Sequence, residues 1–319
     1  RGILLSKYPN LQIRRRAGRR GRPLALLACA EPPGFMEKQK RIVAIHDISC
    51  VGRCSLTVAL PILSAAGFDT GVLPTAVLST HTGGFTGFTY RDLTEDIRPI
   101  SDHWHSLGLR FDAMYSGFLG SFDQIALVAE LFDRFRADGT LVLVDPVMAD
   151  EGKLYGVYTP EMAKGMAGLC AKADVIVPNL TEAAFLLDEP YREGPYDRAY
   201  IDGLLRRLTS LGPSKVVLTG VYFDDKKLGA AAYDKDADEI RCAFADRIPG
   251  YFHGTGDVFG SALLAGLLHG YSLDAAAQLA VDYTHRCILL TVEANQEKRY
   301  GVCFERALPF LIRRLGMQD

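Results

Sequence analysis

The sequence predicts an α/β fold: a doubly wound, mainly parallel β-sheet with helices on both faces and a β-hairpin flap late in the chain. Three observations predict it. Short apolar runs without polar alternation recur from Arg41 onward, which is typical of strands buried on both faces. Longer segments of helical periodicity separate these runs. Polar residues gather where the runs end, which is where such sheets bind ligands.

Six apolar segments are the predicted strands. In chain order they span residues 41–47, 70–78, 111–118, 141–147, 174–179 and 215–220. The helices predicted to alternate with them span residues 53–66, 92–107, 121–138, 159–171, 180–188 and 197–211. Alternating strands and helices of this kind predict one doubly wound domain with a single core.

The pattern changes after Gly220. Alternating stretches broken by charged turns follow, and they predict a β-hairpin over residues 221–246. Three further helices are predicted at residues 256–269, 272–294 and 304–315. We expect the folded domain to extend over residues 36–319.

The N-terminal segment, residues 1–35, does not match this pattern. It contains the basic run LQIRRRAGRRGRP, which has no acidic residue. Such a leader is typical of a targeting or nucleic-acid-binding tail. The run shows no clean amphipathic period, so we expect an extension outside the fold instead.

Composition and charge exclude several classes of protein. The chain has 319 residues, 48% of them hydrophobic, and a formal net charge of −2, so neither nucleic acid nor an anionic membrane is an expected partner. No apolar run is long enough to cross a bilayer. Seven scattered cysteines without a C-x-x-C motif argue against a disulfide framework. We therefore expect a cytoplasmic protein in a reducing compartment.

Polar or glycine residues end four of the predicted strands. They are His46 and Asp47 in the first, Asp145 in the fourth, Asn179 in the fifth, and Thr219 with Gly220 in the sixth. Because the carboxyl ends of parallel strands share one edge of the sheet, we expect these residues to line a common ligand site.

The segment GYFHGTGDVFGSALLAGLLHG, residues 250–270, predicts an anion site at a helix start. Gly254 and Gly256 precede an apolar helical pattern, so unpaired N–H groups and the positive end of the helix dipole meet there. No buried strand precedes the glycines, which disfavours a Rossmann loop, and no Walker A motif is present. On spacing alone, an ordinary helix capped by Thr255 or Asp257 is an equal alternative.

Asp257 would repel an anion, so its position beside this loop needs a reason. In phosphoryl transfer, amides can hold the phosphoryl group while a carboxylate takes the proton of an attacking alcohol. On this interpretation Asp257 faces the acceptor substrate.

Transfer from a triphosphate also needs a cation. Asn179 and Glu182 lie three residues apart at a helix start, and Asp145 ends a strand at the same edge. Carboxylates with intervening waters suit Mg²⁺. Taken singly, each acid is more simply a cap or a surface charge. Taken with the glycine loop, Asp145 and Glu182 indicate a metal site.

Several of these segments resemble the ribokinase-like superfamily: GTGD before a helix, DPVM closing a strand, VPNLTE and VVLTG. Within it, LPTAVLSTHTGGFTGF (73–88) and YSGFLGS (115–121) are similar to the pyridoxal (pyridoxine, pyridoxamine) kinases. The resemblance covers about residues 40–315. GTGD is specific only to the superfamily, whereas the STHTG stretch is sharper.

The resemblance implies a kinase that uses ATP and Mg²⁺ to phosphorylate the 5′-hydroxymethyl group of the B6 vitamers. Asp257 would be the general base, beside an anion hole formed by the amides of Gly254, Thr255 and Gly256. The cation and the ATP phosphates would lie against Asp145, Asn179, Glu182, Thr219 and Gly220. The pyridine pocket would be lined by Thr82 and Phe118, and shaped by His81. The resemblance also implies a hairpin flap over ATP, a K⁺ ion and a homodimer.

Two positions depart from the family pattern. Pyridoxal kinases typically close the first strand with IQS, whereas this chain has IHD, which places Asp47 there. Asp47 either meets a ring hydroxyl, a protonated pyridine or an amine, or it caps the following helix with Ser49. Position 177 is Val where many relatives have Thr, which removes one phosphate contact.

Other functions stay open beside B6 phosphorylation. A hydroxymethylpyrimidine kinase of thiamin synthesis shares the fold and the GTGD chemistry; the STHTG stretch disfavours it and Asp47 mildly favours it. A sugar kinase is disfavoured because its small lid sheet is hard to find in this sequence. A non-catalytic protein that binds pyridoxal phosphate or nucleotide would need no base at Asp257.

Overall fold

The computed structural model describes residues 38–317, so the extension expected at residues 1–35 lies outside the described residues. The strands are β1 (Arg41–Ser49), β2 (Asp69–Leu78), β3 (Tyr90–Asp92), β4 (Ala113–Ser116), β5 (Leu141–Val144), β6 (Ala149–Asp150), β7 (Lys153–Leu154), β8 (Val175–Ile176), β9 (Lys215–Val221), β10 (Lys227–Asp234) and β11 (Glu239–Asp246). The helices are α1 (Leu56–Ala65), α2 (Thr94–Ser106), α3 (Phe122–Phe135), α4 (Pro160–Cys170), α5 (Leu180–Leu186), α6 (Arg198–Thr209), α7 (Thr255–Leu268), α8 (Leu273–Glu293) and α9 (Phe304–Arg314).

One mixed sheet organises the fold, with strand order β11-β10-β9-β8-β5-β4-β1-β2-β3. The neighbours from β2 to β9 pair in parallel. Strands β3, β10 and β11 are antiparallel additions at the two edges. The predicted mainly parallel, doubly wound sheet is therefore confirmed.

The sheet divides the core into two layers, where the sequence predicted a single core. Helices α1, α7, α8 and α9 pack on one face and α2 to α6 on the other. Within β1, the Ile42 side chain belongs to the first layer, and Val43 and Ile45 belong to the second. Both faces of a central strand are thus apolar, which explains the runs without polar alternation.

The hairpin predicted at residues 221–246 is present, with the difference that β10 and β11 belong to the main sheet. Residues Lys227–Asp234 pair with β11 along their whole length, and β10 also pairs with β9. Ala230, Ala231 and Ala232 are buried, which fixes the hairpin against the domain. The end of the hairpin formed by the start of β10 and the last residues of β11 lies at the sheet edge where a ligand would bind.

Two details differ from the predicted elements. Helix α1 begins at Leu56 instead of residue 53, because Ser55 has a φ of 55° and its backbone belongs to a loop. Strands β3, β6 and β7 were not predicted, since two or three residues are too few to show a periodic pattern.

Within residues 38–317, no helix combines the length and the apolar character that a membrane span requires. The six cysteines in this part of the chain are free thiols.

Candidate active site

A cavity of about 710 Å³ lies beyond the carboxyl ends of the parallel strands. Of the residues that the sequence placed at the site, His46 does not line the cavity, because it is completely buried behind it. The other thirteen do: Asp47, His81, Thr82, Phe118, Asp145, Asn179, Glu182, Thr219, Gly220, Gly254, Thr255, Gly256 and Asp257. Residues up to 210 positions apart thus meet at one sheet edge, as parallel strand topology requires. Their individual roles stay predictions.

The glycine loop forms the start of α7. Gly254 is the N-cap residue with a φ of 73°, and a Cβ atom there would lie 2.0 Å from the Arg53 carbonyl oxygen. Only glycine fits both constraints. No side chain caps this helix, and the Thr255 hydroxyl instead donates to the Phe252 carbonyl over 3.2 Å. The alternative of an ordinary helix capped by Thr255 or Asp257 is therefore wrong, and the first amides of α7 face the cavity without such a cap.

Asp257 is held by the loop that precedes α1. Its Oδ2 atom accepts a hydrogen bond from the Ser55 backbone N–H at 2.8 Å and one from the Cys54 thiol at 3.4 Å. The residue is only 8% exposed. Burial raises the pKa of Asp257, and the two donors partly oppose this shift. A fixed, desolvated carboxylate of this kind suits a general base.

His46 lies behind this carboxylate. It is completely buried, neither ring nitrogen has a hydrogen-bond partner, and its Nδ1 lies 4.0 Å from Oδ1 of Asp257. Burial lowers the pKa of His46 to about 3, so the ring is neutral at pH 7 and the contact is not an ion pair. A Cβ atom at Gly117 would come within 2.4 Å of Nδ1. The glycine of YSGF is therefore required to accommodate the imidazole.

Asp145 lies next to the glycine loop. A Cβ atom at Gly256 would be 3.9 Å from Oδ2 of Asp145. Burial raises the pKa of Asp145, and the charges of Glu182 and Asp257 raise it further. Neighbouring carboxylates with raised pKa values favour a cation between them.

Asn179 and Glu182 form a capping box at the start of α5. Asn179 Oδ1 accepts from the Glu182 backbone N–H, and Glu182 Oε2 accepts from the Asn179 N–H, both at 2.8 Å. Glu182 Oε1 also accepts from the Met148 N–H at 3.2 Å. The helix cap that the sequence offered as a simpler role for Glu182 is therefore present. It also fixes the Glu182 carboxylate at the cavity wall.

The carboxylates at the cavity wall fit Mg²⁺. Among residues 38–317, no group of three or more His, Cys, Asp and Glu side chains is arranged around a common point. Mg²⁺ prefers oxygen and usually keeps several waters, so one or two carboxylates are sufficient for it. The buried pair Asp145 and Glu182 fits such a partly hydrated ion.

The acceptor end of the cavity lies at β1 and β2. Asp47 is 4% exposed and accepts from the Ser49 hydroxyl at 3.3 Å. It lies within β1 and α1 begins only at Leu56, so the helix-cap alternative is wrong. His81 is oriented by its Nε2–H, which donates to the Arg299 carbonyl at 2.7 Å.

The other end of the cavity lies at the hairpin. Thr219 and Gly220 lie near the end of β9, and Thr219 forms a β-bridge with Asn179, which follows the neighbouring strand β8. Gly229 of β10 and Asp246 of β11 complete this end. Val177, which lacks the hydroxyl that a threonine would have at this position, also lines the cavity.

Sequence reasoning missed the two donors to Asp257. Cys54 and Ser55 are 203 and 202 residues away from it, and no local pattern connects them. The backbone of Ser55 has a positive φ and its N–H donates to the carboxylate, but nothing in the sequence predicts a positive φ at a serine. The capping box, in contrast, was visible as N-x-x-E.

A family model described as phosphomethylpyrimidine kinase matches residues 75–301. The pyridoxine/pyridoxal/pyridoxamine kinase of Bordetella avium is 28% identical over 265 residues, which cover 78% of this chain and 85% of that protein.

Two solved structures are similar over 86% of this chain. A Bacteroides thetaiotaomicron protein, provisionally named phosphomethylpyrimidine kinase and crystallised with pyridoxal, has a TM-score of 0.82, 40% identity and 96% of its chain covered. Pyridoxal kinase from Lactobacillus plantarum has a TM-score of 0.80, 30% identity and 97% of its chain covered.

Proposed function

The chain belongs to the phosphomethylpyrimidine kinase family, within the ribokinase-like superfamily, and from this premise we propose that it phosphorylates vitamin B6. The reaction is transfer of the γ-phosphoryl group of ATP to the 5′-hydroxymethyl group of pyridoxal, pyridoxamine or pyridoxine. One observation carries the proposal: a buried carboxylate, Asp257, lies at the uncapped start of α7 inside a cavity that also contains Asp145 and Glu182.

Asp257 would accept the proton of the attacking hydroxyl. Its Oδ2 is already bound to the Ser55 N–H and the Cys54 thiol, which leaves Oδ1 for the substrate. The pKa raised by burial makes the carboxylate a stronger base than an exposed aspartate.

The amides of Gly254, Thr255 and Gly256 would hold the transferring phosphoryl group. They belong to the N-cap and the first turn of α7, where N–H groups have no intrahelical acceptor, and they lie at the positive end of the helix dipole. This arrangement places the anion site and the base within one helical turn, so the negative charge is stabilised where the hydroxyl attacks.

Asp145 and Glu182 would hold Mg²⁺, which screens the negative charge of the ATP phosphates when bound. The nucleotide would extend from there toward Thr219, Gly220 and the hairpin end. Closure of the hairpin over ATP, dependence on K⁺, assembly into a homodimer and a cytoplasmic location rest on the resemblance and on composition, and stay predictions.

A second candidate is phosphorylation of hydroxymethylpyrimidine. The description of the matching family and the provisional name of the Bacteroides protein favour it. The STHTG stretch, and the pyridoxal in that same crystal structure, favour B6 vitamers instead. A non-catalytic binding protein is disfavoured because nothing in ligand binding requires a carboxylate at the anion site.

The test is ATP consumption by the purified chain with Mg²⁺ and each of four acceptors: pyridoxal, pyridoxamine, pyridoxine and hydroxymethylpyrimidine. Turnover of any of the first three is expected. Turnover of hydroxymethylpyrimidine alone would keep the role of Asp257 but move the protein to thiamin metabolism. No turnover of any acceptor, with ATP still bound, would overturn the proposal.

A further inference from the structure

Acidic side chains outnumber basic ones in the lining of the cavity. Six carboxylates line it: Asp47, Asp145, Asp150, Glu182, Asp246 and Asp257. Among the residues that the structure describes, no lysine or arginine lines it. Burial lowers the pKa of two lining histidines, His81 and His253, so these rings are neutral at pH 7. Burial raises the pKa of Asp145, Glu182 and Asp257, so a positively charged ligand beside them would favour their ionised forms.

These carboxylates are spread along the sheet. Five strands separate β1, which carries Asp47, from β11, which carries Asp246. At the usual spacing of neighbouring strands this corresponds to roughly 29 Å. A metal ion at Asp145, which follows β5, and Glu182, in the first turn of α5, cannot neutralise both ends. Asp47 therefore needs a second positive charge near the acceptor end.

Within residues 38–317, Asp47 has no counter-ion. Its side chain is buried, the Ser49 hydroxyl donates to it, and no positively charged group of the described residues pairs with it. Burial, together with the charge of Asp257, raises the pKa of Asp47 to about 6, so it is still mostly ionised at pH 7. A buried, unpaired carboxylate is unfavourable, and a cationic ligand would offset that cost.

Asp47 also lies near the group that reacts. Ile48, the neighbour of Asp47 in β1, forms a β-bridge with Ser55, and the Ser55 N–H donates to Asp257 at 2.8 Å. The ligand that reaches Asp47 is therefore the one whose hydroxyl faces Asp257, which is the acceptor and not the nucleotide.

We propose that Asp47 forms an ion pair with a positively charged nitrogen of the acceptor and thereby determines acceptor specificity. The inference rests on the proposed B6 kinase function. Two nitrogens have the required chemistry: the protonated ring nitrogen, which all three vitamers carry, and the primary amine, which only pyridoxamine carries.

The test compares Asp47→Asn and Asp47→Ser with the wild-type chain, using kcat and KM for pyridoxamine, pyridoxine and pyridoxal. Loss of a charged hydrogen bond predicts a rise in KM of about 10- to 100-fold. A rise in KM for pyridoxamine alone would identify the primary amine as the partner of Asp47. An equal rise for all three vitamers, with the KM for ATP unchanged, would identify the ring nitrogen.

The matched control is Asp246→Asn, which removes one charge from the hairpin end of the same cavity. It should leave the ratios between the KM values for the three vitamers unchanged. Values of KM within about twofold of wild type in both Asp47 variants would overturn the inference, as would a change confined to ATP or Mg²⁺ dependence.

The inference and the proposed function fail differently. If the wild-type chain phosphorylates no vitamer, the proposed function is wrong. If it does, and the Asp47 variants keep their wild-type acceptor KM, only the ion pair is wrong. The serine variant keeps a small polar side chain, as in the IQS of relatives, and so provides a folded variant if Asp47→Asn is unstable.

Discussion

The two carboxylate oxygens of Asp257 have different surroundings. Oδ2 is bound to a backbone N–H and a thiol from the loop before α1, whereas Oδ1 lies 4.0 Å from an imidazole that is neutral at pH 7. Because no cation stabilises the ionised form, burial keeps its pKa raised. The carboxylate is thus fixed in position without being weakened as a base.

Asp257→Asn should abolish most of the activity while ATP binding persists. The amide keeps the shape of the side chain but cannot take a proton, and general bases contribute about 10²- to 10⁴-fold to rates. The measurement is kcat by coupled ATP consumption, with nucleotide binding by titration calorimetry.

Asp225→Asn is the control for this change, since its side chain is 94% exposed in the turn between β9 and β10. It should behave as wild type. If Asp257→Asn lost ATP binding in proportion to activity, the carboxylate would have a structural role and not that of a base.

At the scale of elements, the β10–β11 hairpin depends on one glycine. A Cβ atom at Gly229 would lie 1.9 Å from the Ala243 carbonyl oxygen, in the ladder that joins the two strands. This close contact lies at the end of the hairpin that lines the cavity. Gly203 of α6 is different, because a Cβ atom there would meet nothing within 4 Å.

Gly229→Ala and Gly203→Ala should therefore shift stability in opposite directions. The first should lower the free energy of unfolding by about 1–3 kcal/mol, as overpacking does. The second should raise it by about 0.5–1 kcal/mol, because alanine favours a helix interior over glycine. Urea denaturation followed by circular dichroism measures both. A Gly229→Ala chain as stable as wild type would show that the strands can separate without cost.

At the scale of the whole molecule, the two core layers surround buried ionisable groups. His46 is the clearest case, because its pKa is about 3 in the folded chain and its ordinary value is 6.5. Between these two pH values the unfolded chain binds a proton that the folded chain does not. The contribution of His46 to stability is therefore lost as the pH falls from about 6.5 toward about 3.

His46→Gln should reduce the acid sensitivity of the fold. From pH 7 to pH 5 the wild-type chain should lose about 2 kcal/mol of unfolding free energy through this histidine, and the variant should not. Glutamine occupies this position in the IQS of relatives. Urea denaturation at the two pH values gives the difference between the chains, in which the shared carboxylates cancel. Equal losses in both chains would contradict the assignment.

Much of the fold could be predicted from the sequence alone. Strands such as β1 and β5 are apolar on both faces because helices cover both sides of the sheet, so their runs stand out without an alternating pattern. Because the carboxyl ends of parallel strands share one edge, the sequence also predicted that Asp47, Asp145, Asn179 and Thr219 lie at the same edge. The glycine loop was also visible in the local sequence, since the positive φ of Gly254 favours glycine.

Other features were decided only by tertiary structure. The hydrogen bonds from Ser55 and Cys54 to Asp257, and the burial of His46 behind it, each involve residues far apart in the chain. Sequence patterns record local backbone preference and which face of an element is buried. They do not record which distant side chain arrives beside a carboxylate, because packing of the two core layers against the sheet determines that.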